Sequence, residues 1–125
     1  MRIGMASIVV NNPLEAFKFY TDILGFKEHM YMPDYQLAIV VSNEDPEGTA
    51  LLLEPNENPI SSTYQRSLYE AKIPVITLAT EDIQKEYDRL NALGVVFKSE
   101  PKKTEWGIEA VFDDTCGNFV QLFQM

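Results

Sequence analysis

The 125-residue chain has one cysteine, Cys116, and one histidine, His29. A lone cysteine excludes an internal disulfide, yet a chain of this length buries enough surface to fold without disulfides or a structural metal. No apolar run approaches the twenty residues that a membrane-spanning helix needs, which excludes a membrane-embedded role. Met1 to Ser7 lacks the apolar stretch and cleavage site of a signal peptide, so the expected compartment is the cytoplasm. Basic residues are scarce: 10 Lys and Arg stand against 19 Asp and Glu, for a formal net charge of −9. The longest basic run, Lys102-Lys103, is too short for a surface that displaces counterions from phosphates, so nucleic acid and anionic membrane are excluded as partners. The acidic excess reads as a solubility feature. A serine nucleophile elbow, a phosphate loop and a dinucleotide fingerprint are all absent.

What the chain has is an internal repeat. Residues 8–26 and 76–95 each run through an apolar strand, a turn with a helix cap, an amphipathic helix and a closing Leu-Gly. Gly25 and Gly94 lie 69 positions apart, and so do Gly48 and Gly117. In the first copy Asn12 is the expected cap, Pro13 the first helical residue and Glu15 a capping-box carboxylate, with Phe17, Tyr20 and Leu24 on one face. The second helix is expected to start near Thr80, to bury Ile83, Tyr87 and Leu90, and to end at Gly94. Strands are expected at 5–10, 26–32, 35–42 and 49–54, then at 75–79, 95–99, 107–113 and 118–124. The fold class is therefore α+β, with two βαβββ modules, 1–55 and 73–125, joined by a linker helix at 56–72 within one domain of 1–125. Ile60, Tyr64, Leu68 and Ala71 give that linker its helical spacing.

Three segments carry a family resemblance: Asn11 to Phe26 (N-N-P-x-x-A-x-x-F-Y-x-x-x-L-G-F), Glu81 to Val95, and Ala110 to Asn118. Together they resemble the vicinal oxygen chelate superfamily, which holds glyoxalase I, extradiol dioxygenases, and the fosfomycin and bleomycin resistance proteins. The resemblance implies that each module is a curved, half-closed mixed sheet and that two modules enclose a cup. It also implies a divalent metal held by His, Glu or Gln from the first and last strand of each module. Those four positions fall on Met5, Leu52, Val75 and Gln121. Met, Leu and Val offer no ligand for a hard or borderline metal, and Gln121 alone cannot hold one, so no metal or other cofactor is expected. A site built on His29 would need a carboxylate beside it, and the nearest, Glu28, should point to the opposite strand face.

The cup that the resemblance implies directs attention to a few side chains. Leu52 and Glu54 share one strand face, which makes Glu54 a candidate general base or partner for a cationic ligand. Phe119, Gln121 and Phe123 share the matching face of the last strand, an amide between two aromatics. Trp106, ahead of Gly107, is a candidate for ligand stacking at the rim, and Ser7 offers a hydroxyl. Cys116 follows Asp113 and Asp114, surroundings that disfavour a reactive thiolate. His29 reads as a surface or dimer-contact residue ahead of a general base. The sequence thus points to a metal-free protein that binds a small, partly apolar molecule, with xenobiotics and antibiotics in that class. The alternatives are a glyoxalase-like lyase or isomerase, using an atypical metal set or Glu54 acid–base chemistry, and a ligand-free protein–protein role. Exposed edges of two half-closed sheets, with Met30, Tyr31, Met32, Tyr35, Tyr64 and Tyr69 outside the expected cup, point to a homodimer.

Overall fold

The computed structural model describes all 125 residues. Their contacts divide into two compact units, Met1–Gln65 and Arg66–Met125. The first contains β1 (Met5–Val10), α1 (Pro13–Lys18), β2 (Lys27–Met32), β3 (Leu37–Val41) and β4 (Ala50–Pro55). Helix α2 (Pro59–Glu70) crosses the division. The second unit contains β5 (Ile76–Ala79), α3 (Ile83–Ala92), β6 (Lys102–Lys103), β7 (Ile108–Asp113) and β8 (Phe119–Gln124). Each unit is one four-stranded mixed sheet, ordered β1-β4-β3-β2 and β5-β8-β7-β6, so the strand order repeats as the sequence anticipates. The opening strand pairs parallel to the closing strand, and the remaining pairs are antiparallel.

Helix α1 starts where its cap chemistry dictates. The Asn12 side chain accepts from the backbone N–H of Leu14 (2.9 Å) and Glu15 (3.3 Å), and Pro13 follows in the first turn. The helix then widens into a π-turn over Phe19–Ile23 before Gly25, at φ +90°, ends it. The second unit explains the widening. From Asn12 to Gly25 is one residue longer than from Asp82, the cap of α3, to Gly94, and the π-turn absorbs the extra residue. Helix α3 begins at Ile83, slightly later than the start expected near Thr80, and Asp82 caps it: its carboxylate accepts from the Lys85 N–H at 3.1 Å.

Both helices lie on one face of their sheet, and the core sits beneath them. Tyr20, Val10, Val40 and Leu53 are fully buried or nearly so in the first unit, and Ile83, Phe112 and Val120 in the second. Each such side chain stabilises the fold by about 1.5–3 kcal/mol through removal of apolar surface from water.

Two expectations need correction. The strand at 95–99 is reduced to a single bridge, Phe97 to Phe112, flanked by hydrogen bonds from Asp113 N to Val96 O (2.9 Å) and from Lys98 N to Val111 O (2.8 Å). Pairing with β7 resumes only at Lys102–Lys103, because Pro101 has no N–H for the ladder and extra residues bulge out before it. The strand at 35–42 is shortened to Leu37–Val41, because Pro33–Tyr35 forms a 3-10 turn closed by Gln36 at φ 52°.

The linker helix forms, but its buried residue is Gln65 rather than the apolar stripe; Ile60 and Tyr64 are exposed. Gln65 Nε2 donates to the Val9 carbonyl (3.1 Å) and to Asn11 Oδ1 (3.2 Å), while its Oε1 accepts from Asn56 Nδ2 (3.1 Å). A buried amide in that place is stable because its hydrogen-bonding groups are answered.

Candidate ligand-binding site

In the first unit the sheet face opposite α1 carries the row Ser7, Leu52, Ile39 and Met30 in cross-strand register. Ile39, Val41 and Ala50 form a buried cluster there, with Leu37 and Leu52 packed against it. Met5 and Ser7 are exposed on β1, and Glu54 is half-buried at the end of β4, beside Val9. No hydrogen bond or ion pair engages the Glu54 carboxylate. His29 is the extra residue of a β-bulge between Glu28 and Met30 and is exposed. A cleft of about 230 Å³ near the start of α1 is lined by Asn11, Asn12, Gln36 and Asn56 among others, and none of the expected site residues reaches it.

In the second unit the face opposite α3 gathers Phe119, Gln121 and Phe123, all half-buried, as the strand alternation requires. Register sets Asp113 beside Phe119, Val111 and Thr77 beside Gln121, and Glu109 and Ala79 beside Phe123. Gln121 Nε2 donates to Glu109 Oε2 at 3.1 Å. Val75 is half-buried just before β5, its N–H bonded to the Phe119 carbonyl at 2.9 Å. Phe119 is less available to a ligand than expected. Tyr69 of α2 stacks on its ring, with centroids 4.7 Å apart and planes 15° apart, and the Lys98 ammonium stands 5.8 Å from the ring centroid. Tyr69 also donates its hydroxyl to Asp113 Oδ2 at 2.5 Å. That hydrogen bond raises the Tyr69 pKa above the ordinary phenol value, with burial and the negative charges of Asp113 and Asp114 adding to it.

Phe123 has no ring partner, and its position is tied to Gly107. A Cβ on Gly107 would lie 2.3 Å from the Gln124 carbonyl oxygen and 2.8 Å from Phe123 Cζ, at a φ of +154° that L side chains rarely adopt. Only glycine lets the two strands close there. Trp106 is 80% exposed on the preceding turn, where Thr104 Oγ1 accepts from its N–H at 3.2 Å.

Sequence reasoning missed Glu109, Tyr69 and Asp113. Glu109 was within reach, because it alternates with Ala110 and Phe112 on a strand whose even positions are core. Tyr69 left no such signal, since only the packing of α2 brings it to Phe119. The turn after β7 is structural: Asp114, fully buried, accepts from Cys116 N (2.7 Å), Asn118 N (3.0 Å) and Asn118 Nδ2 (3.1 Å), and Cys116 is buried with it.

Two copies of a strand–helix–three-strand unit now stand beside a family model that matches residues 2–122, that of the Glyoxalase/Bleomycin resistance protein/Dioxygenase superfamily. The chain belongs to this superfamily. It is 44% identical over 126 residues to the Bacillus subtilis (strain 168) protein YurT, covering 99% of each chain. Among solved structures, UcmS2 matches with a TM-score of 0.81 at 29% identity, covering 98% of this chain and 97% of that one. TnmS3, an antibiotic binding protein from Streptomyces sp. CB03234, matches with a TM-score of 0.77 at 25% identity, covering 99% and 95%. The metal known in the superfamily's enzymes does not fit this donor set. Met5, Leu52 and Val75 offer no oxygen or imidazole donor, the Gln121 carbonyl would be the lone ligand of the four positions, and no three His, Cys, Asp or Glu residues are grouped to hold an ion.

Proposed function

We propose that this protein binds a small, partly apolar organic molecule of the antibiotic or xenobiotic class, without a metal ion. The observation that carries the proposal is Gln121. At the position where the resemblance leads one to expect a metal ligand, its NH2 donates to Glu109 and it lies between Phe119 and Phe123 on the strand face. That is the chemistry of an apolar surface with a fixed polar anchor. The likeness to an antibiotic binding protein supports the same reading. Each sheet is taken by itself: the first offers Met5, Ser7, Leu52 and Glu54 as candidate binding residues, and the second offers Val75, Trp106, Phe119, Gln121 and Phe123. The test is a thermal-shift screen against antibiotics and metabolites, because a binder of the native state raises the melting temperature by mass action. Dialysis against nickel, zinc or manganese should leave far less than one metal per chain. Stoichiometric metal on elemental analysis would refute the metal-free reading.

The working form we propose is a cytoplasmic homodimer. Of the aromatic and Met residues assigned to the interface from sequence, Tyr31 and Tyr69 are committed elsewhere, Tyr31 by stacking on Phe17 at 4.0 Å. Met30 and Met32, expected outside the ligand face, lie on it in register with Ile39 and Leu37, which leaves the exposed Tyr35 and Tyr64 to supply the apolar surface such an interface uses. Light scattering at micromolar concentration should give twice the 14.2 kDa chain mass, and a monomer unchanged on tenfold concentration would refute it.

A further inference from the structure

Resting on that binding reading, we infer that Glu109 is the acidic anchor of the site and that the ligand brings it a cationic or N–H-rich group on an apolar body. The argument counts donors and acceptors. An ionised carboxylate only accepts, so the Gln121 amide turns its NH2 toward Glu109 and its carbonyl away. What remains at the centre of the face is the Gln121 carbonyl oxygen and the unused carboxylate oxygen of Glu109, both acceptors. No ion pair engages Glu109. Lys102, its register partner on β6, is exposed and makes no ion pair with it, and Lys98 donates instead to the Lys72 carbonyl at 3.4 Å. Thr77, beside Gln121, adds one rotatable hydroxyl. Beside Glu109 stands the ring of Phe123, which has no aromatic partner. An anionic ligand would meet an uncompensated carboxylate here, whereas a protonated amine or amidine satisfies both oxygens with charge-assisted hydrogen bonds while its apolar body covers Phe123. The chain's net charge of −9 draws cations in the same sense.

Isothermal titration with two matched probes tests this: 9-aminoacridine, a flat aromatic cation, and anthracene-9-carboxylate, an anion of the same shape. The full chain is compared with Glu109→Gln and with Glu81→Gln, which removes one charge from an exposed residue before α3. Wild type should bind the cation at least tenfold more tightly than the anion. Glu109→Gln should weaken the cation at least tenfold, and Glu81→Gln should not. Circular dichroism checks the fold; should Glu109→Gln fail to fold, Glu109→Asp, which keeps the charge one methylene further back, should weaken the cation while still preferring it. Equal binding of both probes, or cation binding indifferent to Glu109, overturns the anchor and leaves small-molecule binding intact. Binding of neither probe also overturns it. A neutral or anionic hit in the thermal-shift screen then shows that binding rests on other chemistry, and a blank screen sinks both readings.

Discussion

Asp114 offers a sharp measurement, because its carboxylate organises a turn that has no water to fall back on. Asp114 is 0% exposed, with Cys116 and Asn118 at 4% and 3%. One oxygen accepts from the Cys116 and Asn118 N–H groups, and the other accepts from the Asn118 side-chain amide. Asp114→Ala strands at least the three donors named above in a buried turn. Each stranded donor costs about 1–3 kcal/mol, and some relaxation of the loop toward solvent leaves a net loss of about 3–4 kcal/mol. Asp114→Asn is isosteric and separates geometry from charge. Its carbonyl oxygen keeps the two backbone bonds, but its NH2 then faces the NH2 of Asn118, so the loss should be about 1–2 kcal/mol. Adding Asn118→Asp to Asp114→Asn restores a donor–acceptor pair and should recover about 1 kcal/mol. Urea denaturation reads these as shifts in midpoint at constant slope, and thermal melts as roughly 4 °C per kcal/mol. If Asp114→Asn is as damaging as Asp114→Ala, charge rather than geometry governs the turn. If Asp114→Ala costs under about 0.5 kcal/mol, the hydrogen-bond accounting is wrong.

Gly107→Ala should destabilise by several kcal/mol and displace Phe123, because the added carbon meets the Gln124 backbone carbonyl and the backbone conformation there disfavours any L side chain; a melting temperature within 2 °C of wild type, against roughly 4 °C per kcal/mol, would contradict this. Deleting Asp22 should convert the π-turn to α-helix and leave a folded protein, whereas deleting Lys85 should turn Leu90 away from the core; circular dichroism and melting of the two deletions make the comparison. The raised pKa of Tyr69 favours the protonated phenol in the folded state, so its contribution is complete below the ordinary phenol pKa of 10.0 and is lost as pH rises through the raised value. Tyr69→Phe should therefore lessen the fall in stability above that pH, as measured by urea denaturation across the alkaline range.

The sequence made the module order, the Asn12 cap and the left-handed Gly25 and Gly94 legible, because those depend on local chemistry. The equal spacing of 69 that revealed the repeat conceals compensating changes. Leu52 corresponds to Gln121, 69 positions on, but their strand partners Ile39 and Val111 are 72 apart. The hairpin from Val41 to Ala50 is three residues longer than that from Asp113 to Phe119, and this brings the closing strands back into step. A strand placed by constant offset therefore goes astray in the middle of the module, which is where the segment at 95–99 failed. On the site, alternation placed Phe119, Gln121 and Phe123 on one face but could not show that Tyr69 would occupy one side of Phe119. Glu54, favoured from sequence as the acidic group, has no polar partner, whereas Glu109 is held by Gln121. A contact between neighbouring strands depends on register, and register is decided by turns and bulges that composition does not reveal.

The wide turn at Phe19–Ile23 gives the first helix a property its counterpart lacks. In an ordinary α-helix one added residue rotates everything beyond it by about 100°, which would swing Tyr20 or Leu24 out of place. Here both ends are pinned, by the Asn12 cap and by the left-handed exit at Gly25, and the surplus is taken up between them. Chain length can thus drift inside a secondary-structure element rather than in a loop, with no change in which strand faces meet. The two units thus differ in length along this helix while their sheets keep the same strand order, and the widened turn is where the difference is absorbed.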